Sequence, residues 1–205
     1  MWRRNCWVIV YKYPAIATFG RRKAFGRVLS IEEINRNLAL ISRVAVHPKY
    51  RTIGLGVKLV KETLPLVGKP YVETVAVMAR YNPFFERAGL TKIAESKPNP
   101  KILDAVERLR SLGFNPVFLT SEKANLQKLK AMLTGEVRHV RNVFKEISAG
   151  VYRKRLWSSH QAYMSKERFN DCVDKVSLKK LAKMLRILNF LTQTKVYLFW
   201  EKHQS

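Results

Sequence analysis

Apolar and polar positions follow two regimes along this chain. In the first half, short runs of β-branched and aromatic residues are punctuated by proline and glycine. Residues 5–13, Asn-Cys-Trp-Val-Ile-Val-Tyr-Lys-Tyr, close at Pro14 and predict a strand. Residues 15–30 hold Arg21-Arg22-Lys23 between Gly20 and Gly26, which predicts an exposed loop with room for an irregular strand. Ser30 with Glu33 three residues later predicts a short capped helix. Leu40–Val46 is a second strand, ended by Pro48, which has no N–H for a ladder. Leu55, Leu59, Val60 and Leu64 build an apolar face with Lys58 and Lys61 outside it, so a helix is expected from Gly54 to Leu64, before Pro65. Tyr71–Met78 is a third strand. Strand, helix and strand at this length make a right-handed crossover, so 40–46 and 71–78 should run parallel. A short helix opening at Pro83 and closed by Gly89 follows.

From Lys97-Pro-Asn-Pro100 the period becomes helical. Ile102–Leu112, Glu122–Leu133, Val137–Ile147, Tyr152–Glu167 and Leu178–Leu191 predict helices, with Val117–Leu119 open to a strand. Thr194–Trp200 fits either a terminal strand or a continuation of the last helix. Two domains are therefore expected: an α/β unit over 1–96 and a mostly helical, basic extension over 97–205.

Composition changes the picture through charge alone. Hydrophobic content of 47% is ordinary, but 39 basic against 15 acidic residues give +24 and an isoelectric point near 10.4. Such a surface favours polyanions: nucleic acid, acidic proteins, anionic lipid or phosphate-rich ligands. Residues 1–98 and 99–205 each carry +12, so no single tail holds the charge. Cys6 and Cys172 stand far apart, and the four histidines show no close pairing, which argues against a disulfide scaffold or a metal site. A reducing, cytoplasmic setting is expected. Lys12 cuts the apolar run behind Met1-Trp-Arg-Arg, and Asn189, Gln193 and Lys195 interrupt Leu185–Trp200, so no membrane span or membrane partner is expected.

Candidate chemistry gathers between Val44 and Val60. A strand with Val44 and Val46 leads through His47-Pro48 into Arg51-Thr52-Ile53-Gly54-Leu55-Gly56 and then a helix. Gly54 and Gly56 allow close backbone approach. The first amides of the helix lack intrahelical partners and carry the positive end of its dipole. This is the local chemistry of a diphosphate cradle. No Gly-Lys-Ser/Thr follows the glycines, and the Gly-x-Gly-x-x-Gly triplet is incomplete, which sets aside a Walker loop and a dinucleotide fingerprint.

The phrase Val-x-Val-His-Pro followed by Arg-x-x-Gly-x-Gly resembles the coenzyme A pyrophosphate loop of the GNAT acetyltransferase superfamily. A second anchor, Phe84-Phe85-Glu86-Arg87-Ala88-Gly89-Leu90, resembles the short helix that family places after its fifth strand. The resemblance covers residues 5–95. It implies an α/β fold, a partial GNAT mixed sheet followed by the helical extension. It also implies acetyl-CoA as cofactor, held by Val44, Val46, Arg51, Thr52, Ile53, Gly54, Leu55, Gly56 and Phe85, and an amine acceptor whose identity is open. The wider pattern is similar to GNAT-like modules fused to ABC-type ATPases in archaea, which would make an ATPase a partner.

Three departures from the family pattern stand out. The chain starts at what resembles the second strand, so the family's first strand and two helices are expected to be missing. Phe85 falls where the family often has a tyrosine acid; Tyr81 is the nearby substitute. No general base is obvious, and Glu73, a carboxylate among Val and Ala, is the candidate. The plain alternatives are that Glu73 pairs with a basic residue, that Tyr81 is a packing aromatic, and that His47 only serves its turn. Trp2, Trp7, Tyr11 and Tyr13 interleave with Arg3, Arg4 and Lys12, a pattern that suits base stacking or an ordinary edge strand. Arg153-Lys154-Arg155 and Lys179-Lys180 suit phosphate contact or a solvated helix face. Two functions follow as expectations: an acetyl-CoA-dependent N-acetyltransferase, or a noncatalytic module of the same fold that binds nucleic acid or a partner ATPase.

Overall fold

A computed structural model describes residues 6–147, 150–157 and 164–202. The protein is an α/β protein with a five-stranded mixed sheet and a helical region. It divides into two units, one made of Met1–Lys97 with Thr194–Ser205 and the other of Pro98–Gln193.

The first unit opens with β1 (Trp7–Lys12), then α1 (Arg21–Phe25), α2 (Ile31–Asn37) and β2 (Leu38–Val46). It continues through α3 (Leu55–Thr63), β3 (Tyr71–Ala76), α4 (Phe84–Arg87) and β4 (Thr91–Ser96), and closes with β5 (Lys195–Glu201). The order across the sheet is β1-β2-β3-β5-β4. Only β2 and β3 run parallel, as the crossover through α3 requires; the other neighbours are antiparallel. Ser30 and Glu33 form the expected reciprocal cap on α2.

Two elements of the first unit, Arg21–Phe25 and Thr91–Ser96, differ from their sequence expectation, and a third settles between two options. Arg21–Phe25 is a helical turn rather than a loop, bounded by left-handed Gly20 and Gly26. β1 and α2 stand ahead of β2 as expected, and α1 adds a second short helix between them. Thr91–Ser96 is a strand that its polar sequence, Thr-Lys-Ile-Ala-Glu-Ser, conceals; it is the sheet's edge, largely exposed, so no apolar alternation marks it. Lys195–Glu201 is the strand option at the C-terminus, inserted antiparallel between β3 and β4. The helical region is therefore an insertion between β4 and β5, not an extension over 97–205.

The face of the sheet under α3 is apolar, with Val60 and Leu64 packed in one core with Ile41, Val72, Phe85 and Leu198. Strand alternation puts Glu73 on the opposite face, where it is fully buried. The Arg21 guanidinium donates to both carboxylate oxygens, Nη2 to Oε1 at 2.6 Å and Nε to Oε2 at 3.0 Å. The Tyr197 hydroxyl donates to Oε2 at 2.8 Å. Nη1 donates to Ile16 O, and the second Nη2 hydrogen is shared between Ala15 O and Thr18 Oγ1. Gly20 makes this possible: a Cβ there would lie 2.5 Å from the Tyr197 ring, and its φ is +87°.

The second unit contains α5 (Pro100–Ser111), α6 (Glu122–Ala131), α7 (Thr134–Glu146), α8 (Gly150–Trp157), α9 (Lys166–Lys175) and α10 (Leu178–Leu191). Val117–Leu119 contributes no strand; Phe118–Thr120 is a 3₁₀ turn. Residues 158–163 of the expected helix 152–167 lie outside the described residues, as do Trp2, Arg3 and Arg4. Ile102, Leu109, Leu129, Val140, Phe144, Phe169, Leu181 and Leu185 form the core. Among the described residues no helix is long and apolar enough to cross a membrane.

Removing one member of a buried, hydrogen-bonded ion pair strands the other. Glu73→Ala should cost about 3–5 kcal/mol, read as a lower denaturant midpoint; a midpoint within experimental error of the parent's would refute the clamp. Burial, with the adjacent Glu73 charge, pushes the Tyr197 phenol above its ordinary value of 10.0. A raised pKa favours the neutral folded form, so this stabilisation is complete below pH 10 and drains away as pH rises toward the folded value. Thermal melts should show steeper alkaline loss in the parent than in Tyr197→Phe.

Candidate functional site

The site is built where β2 leaves β3. Their ladder covers Leu38–Leu40 against Tyr71–Glu73. Beyond it the Thr74 hydroxyl donates to Ile41 O at 3.0 Å, and the two strands part. Val44 and Val46 remain paired to β1 but have no partner on β3. A cavity of about 390 Å³ lies at this end. Its lining includes Val44, Val46, Arg51, Thr52, Gly54, Leu55 and Gly56. Seven of the nine residues expected to bind cofactor are thus brought to one place. Ile53 is not among the lining residues and is 66% exposed, and Phe85 is buried in the core instead.

The loop's conformation follows from its residues. Gly54 is the N-cap of α3 with φ +83°, a left-handed value that glycine adopts without Cβ strain. No side chain caps this helix, and its first turn holds no acid, so the amides of Leu55, Gly56 and Val57 are unclaimed by side chains. A Cβ at Gly56 would stand 3.8 Å from Val46 and 3.9 Å from Phe84, filling the space between β2 and α4. Thr52 has φ +73°, the one non-glycine residue with positive φ among those described. For a β-branched residue this is real strain, and its hydroxyl donates locally to Arg51 O.

Charge at the cavity is positive. Arg51 and Arg87 line it with no carboxylate among the lining residues. Arg51 Nε donates to Val46 O at 3.1 Å, and Arg87 Nη2 donates to Asn82 Oδ1 at 3.0 Å, so both guanidinium groups are positioned. Tyr50, Asn82, Phe84 and Arg87 are lining residues that the sequence reading did not single out. Phe84 and Arg87 sit in the second motif, one residue before and two after Phe85; helical spacing could have indicated which of them face β2.

The two candidate catalytic residues are placed elsewhere. Glu73 lies on the far face of the sheet, saturated by Arg21 and Tyr197 and closed to solvent. A carboxylate so held has no spare route to an incoming ammonium, so it is corrected from general base to structural anchor. Tyr81 is 74% exposed, with the Arg80 guanidinium 5.7 Å from its ring centre, and is not part of the cavity lining. Its hydroxyl therefore does not stand in for the acid that Phe85 lacks. His47 accepts a hydrogen bond from Lys49 N at 3.3 Å, the turn role that its sequence suggests. Among the described residues no group of three or more His, Cys, Asp or Glu is arranged to hold a metal.

The arrangement is a positively charged cavity at the fork of two parallel strands in an α/β protein. Comparison of the chain with protein-family models, with curated proteins and with solved structures found no match.

The strain at position 52 is separable from the glycine requirement at 54. Thr52→Gly should stabilise the fold by about 1 kcal/mol by relieving the left-handed Cβ clash, whereas Gly54→Ala should cost about 1–2 kcal/mol. Chemical denaturation of both variants checks the pair; equal signs would refute a left-handed backbone at both positions.

Proposed function

We propose that this protein is an acetyl-CoA-dependent N-acetyltransferase with a GNAT-like domain. One observation carries the reading: Arg51, Thr52, Gly54, Leu55 and Gly56 converge with Val44 and Val46 on a single cavity where two parallel strands separate. A sheet fork beside a bare helix start suits a ligand with a diphosphate at one end and an extended, amide-bearing arm. The amides of Leu55, Gly56 and Val57, with Arg51 and Arg87, would hold the diphosphate. On the side away from β1, the Val44 main chain, which has no partner on β3, would orient the arm. Bound acetyl-CoA would supply an acyl group activated as a thioester.

In this reading the cavity would hold the acyl carbon open to an acceptor amine, so that a C–N bond would form as the C–S bond breaks and the thiolate is released. Glu73 takes no part. The proton lost by the amine goes to water. What the protein contributes is orientation and main-chain polarisation of the carbonyl.

Calorimetric titration with acetyl-CoA tests the reading. The parent should bind, and Gly56→Val, which fills the gap between Val46 and Phe84, should abolish the heat while leaving far-UV circular dichroism intact. Absence of heat from the folded parent at millimolar ligand sinks the proposal.

A further inference from the structure

The helical unit carries a second concave, positively charged site, independent of the first. A cavity of about 720 Å³ lies over α7, lined by Lys130 and Met132 at the end of α6, by the α7 residues Arg138, Arg141, Asn142 and Lys145, and by Asp174 and Leu178. We propose that this groove binds the sugar–phosphate backbone of a single nucleic-acid strand, without regard to base sequence.

Four arguments support the assignment. Arg138, Arg141 and Lys145 recur three and four residues apart, so they form one stripe along α7, about 10 Å long at the helical rise. The rest of the helix surface, Val140, Val143 and Phe144, is buried in the core, while Val137 lies at the floor of the cavity beside the stripe. The four cations of the lining face a single carboxylate, Asp174, which pairs with Lys145 at 2.5 Å. Arg141 is immobilised, since its guanidinium donates to Val173 O and to Val176 O. It therefore presents a fixed positive charge with no rotamer freedom left to lose. Lys130 and Arg138 are exposed and have no hydrogen bond or ion pair to any described residue. These two are the mobile contacts.

The choice of ligand rests on what the groove has and lacks. Arg, Lys, Asn and Thr134 at its rim are side chains that contact phosphate and sugar oxygens. No aromatic ring is among its lining residues, so it offers no platform for stacking bases. That combination predicts backbone recognition and indifference to sequence. The evenly spread +24 charge adds a long-range attraction that grows with the length of the polyanion, which an extended strand exploits and a compact anion does not. An acidic peptide is the competing class, since it too would meet the cations.

The full chain is titrated with fluorescein-labelled oligo(U) and oligo(A) of ~10 nucleotides, at several salt concentrations, by fluorescence anisotropy. Both oligomers should bind with similar affinity, falling as salt rises. The double variant Lys130→Ala/Arg138→Ala should lower the slope of log affinity against log salt by about 1.4, and weaken binding on the order of tenfold at moderate salt. The charge-matched control Lys23→Ala/Lys61→Ala, on exposed positions of the other unit, should change the slope much less. Circular dichroism confirms folding of each variant. Three outcomes overturn the proposal: no binding by the parent, equal slope changes in test and control variants, or displacement of RNA by poly-glutamate of matched charge at equal or lower concentration. The last would reassign the groove to an acidic protein.

Discussion

Glu73 places a carboxylate inside a sheet, and the strand order follows from where that charge is answered. Desolvating the two ions of such a pair costs several kcal/mol each, which is recovered only if every oxygen and N–H finds a partner. Here the fork of Arg21 meets both carboxylate oxygens, and Ala15, Ile16 and Thr18 take the remaining donors. The third partner, Tyr197, lies 124 residues along the chain. In the register of β5 on β3, Phe199 stands opposite Glu73 and Tyr197 opposite Val75. A one-residue slip would send the Tyr197 side chain to the α3 face and leave Oε2 without its donor. The buried charge thus selects the register of a strand that arrives after the whole helical insertion.

The same residue marks the fork. Glu73 opposite Leu40 is the last paired position of β2 and β3. Past it, β3 stays bound to β5 through a continuous antiparallel ladder, and β2 stays bound to β1 through an antiparallel ladder with a register shift at Ser42. Each strand follows its own outer neighbour, and the two diverge. A gap in a sheet leaves main-chain groups unpaired, a state that is tolerable only at solvent or against a ligand. The cavity supplies that access. Strain at Thr52 and the left-handed Gly54 lie at its rim, where the chain turns from β2 into α3.

The parts of this architecture visible in the sequence are those written locally. Pro48 ended β2, Ser30 and Glu33 capped α2, and Gly54 opened α3 at the expected place, because each acts on its own neighbours. The cavity was legible for the same reason: seven of its residues come from one continuous stretch. What stayed hidden depends on contacts distant in sequence. Arg21 looked like part of an exposed basic loop, since nothing local announces a carboxylate 52 residues away. Glu73 looked reactive because a lone acid among apolar residues reads the same whether it is catalytic or paired. α9 went unread because Lys-Glu-Arg-Phe-Asn-Asp-Cys-Val offers only Phe169 and Val173 to the core, four residues apart.

Loss of Glu73 and Tyr81 as acid and base weakens the proposed acyl transfer less than it first suggests. General acid–base catalysis contributes about 10²–10⁴-fold. Holding two reactants in attack geometry reaches effective concentrations of about 10⁵–10⁸ M. The leaving group of a thioester is a thiolate, whose parent thiol has an ordinary pKa of about 8.5, so it departs without first being protonated. An amine gives up its proton only after the C–N bond forms, when that proton is acidic enough for water to accept. The cavity is open to solvent at Thr52 and Gly54, which keeps water at hand. The proposed acyl transfer would work by placement: strands on either side of a gap, an anchor for the diphosphate at one end, and the chemistry left to the intrinsic reactivity of the thioester.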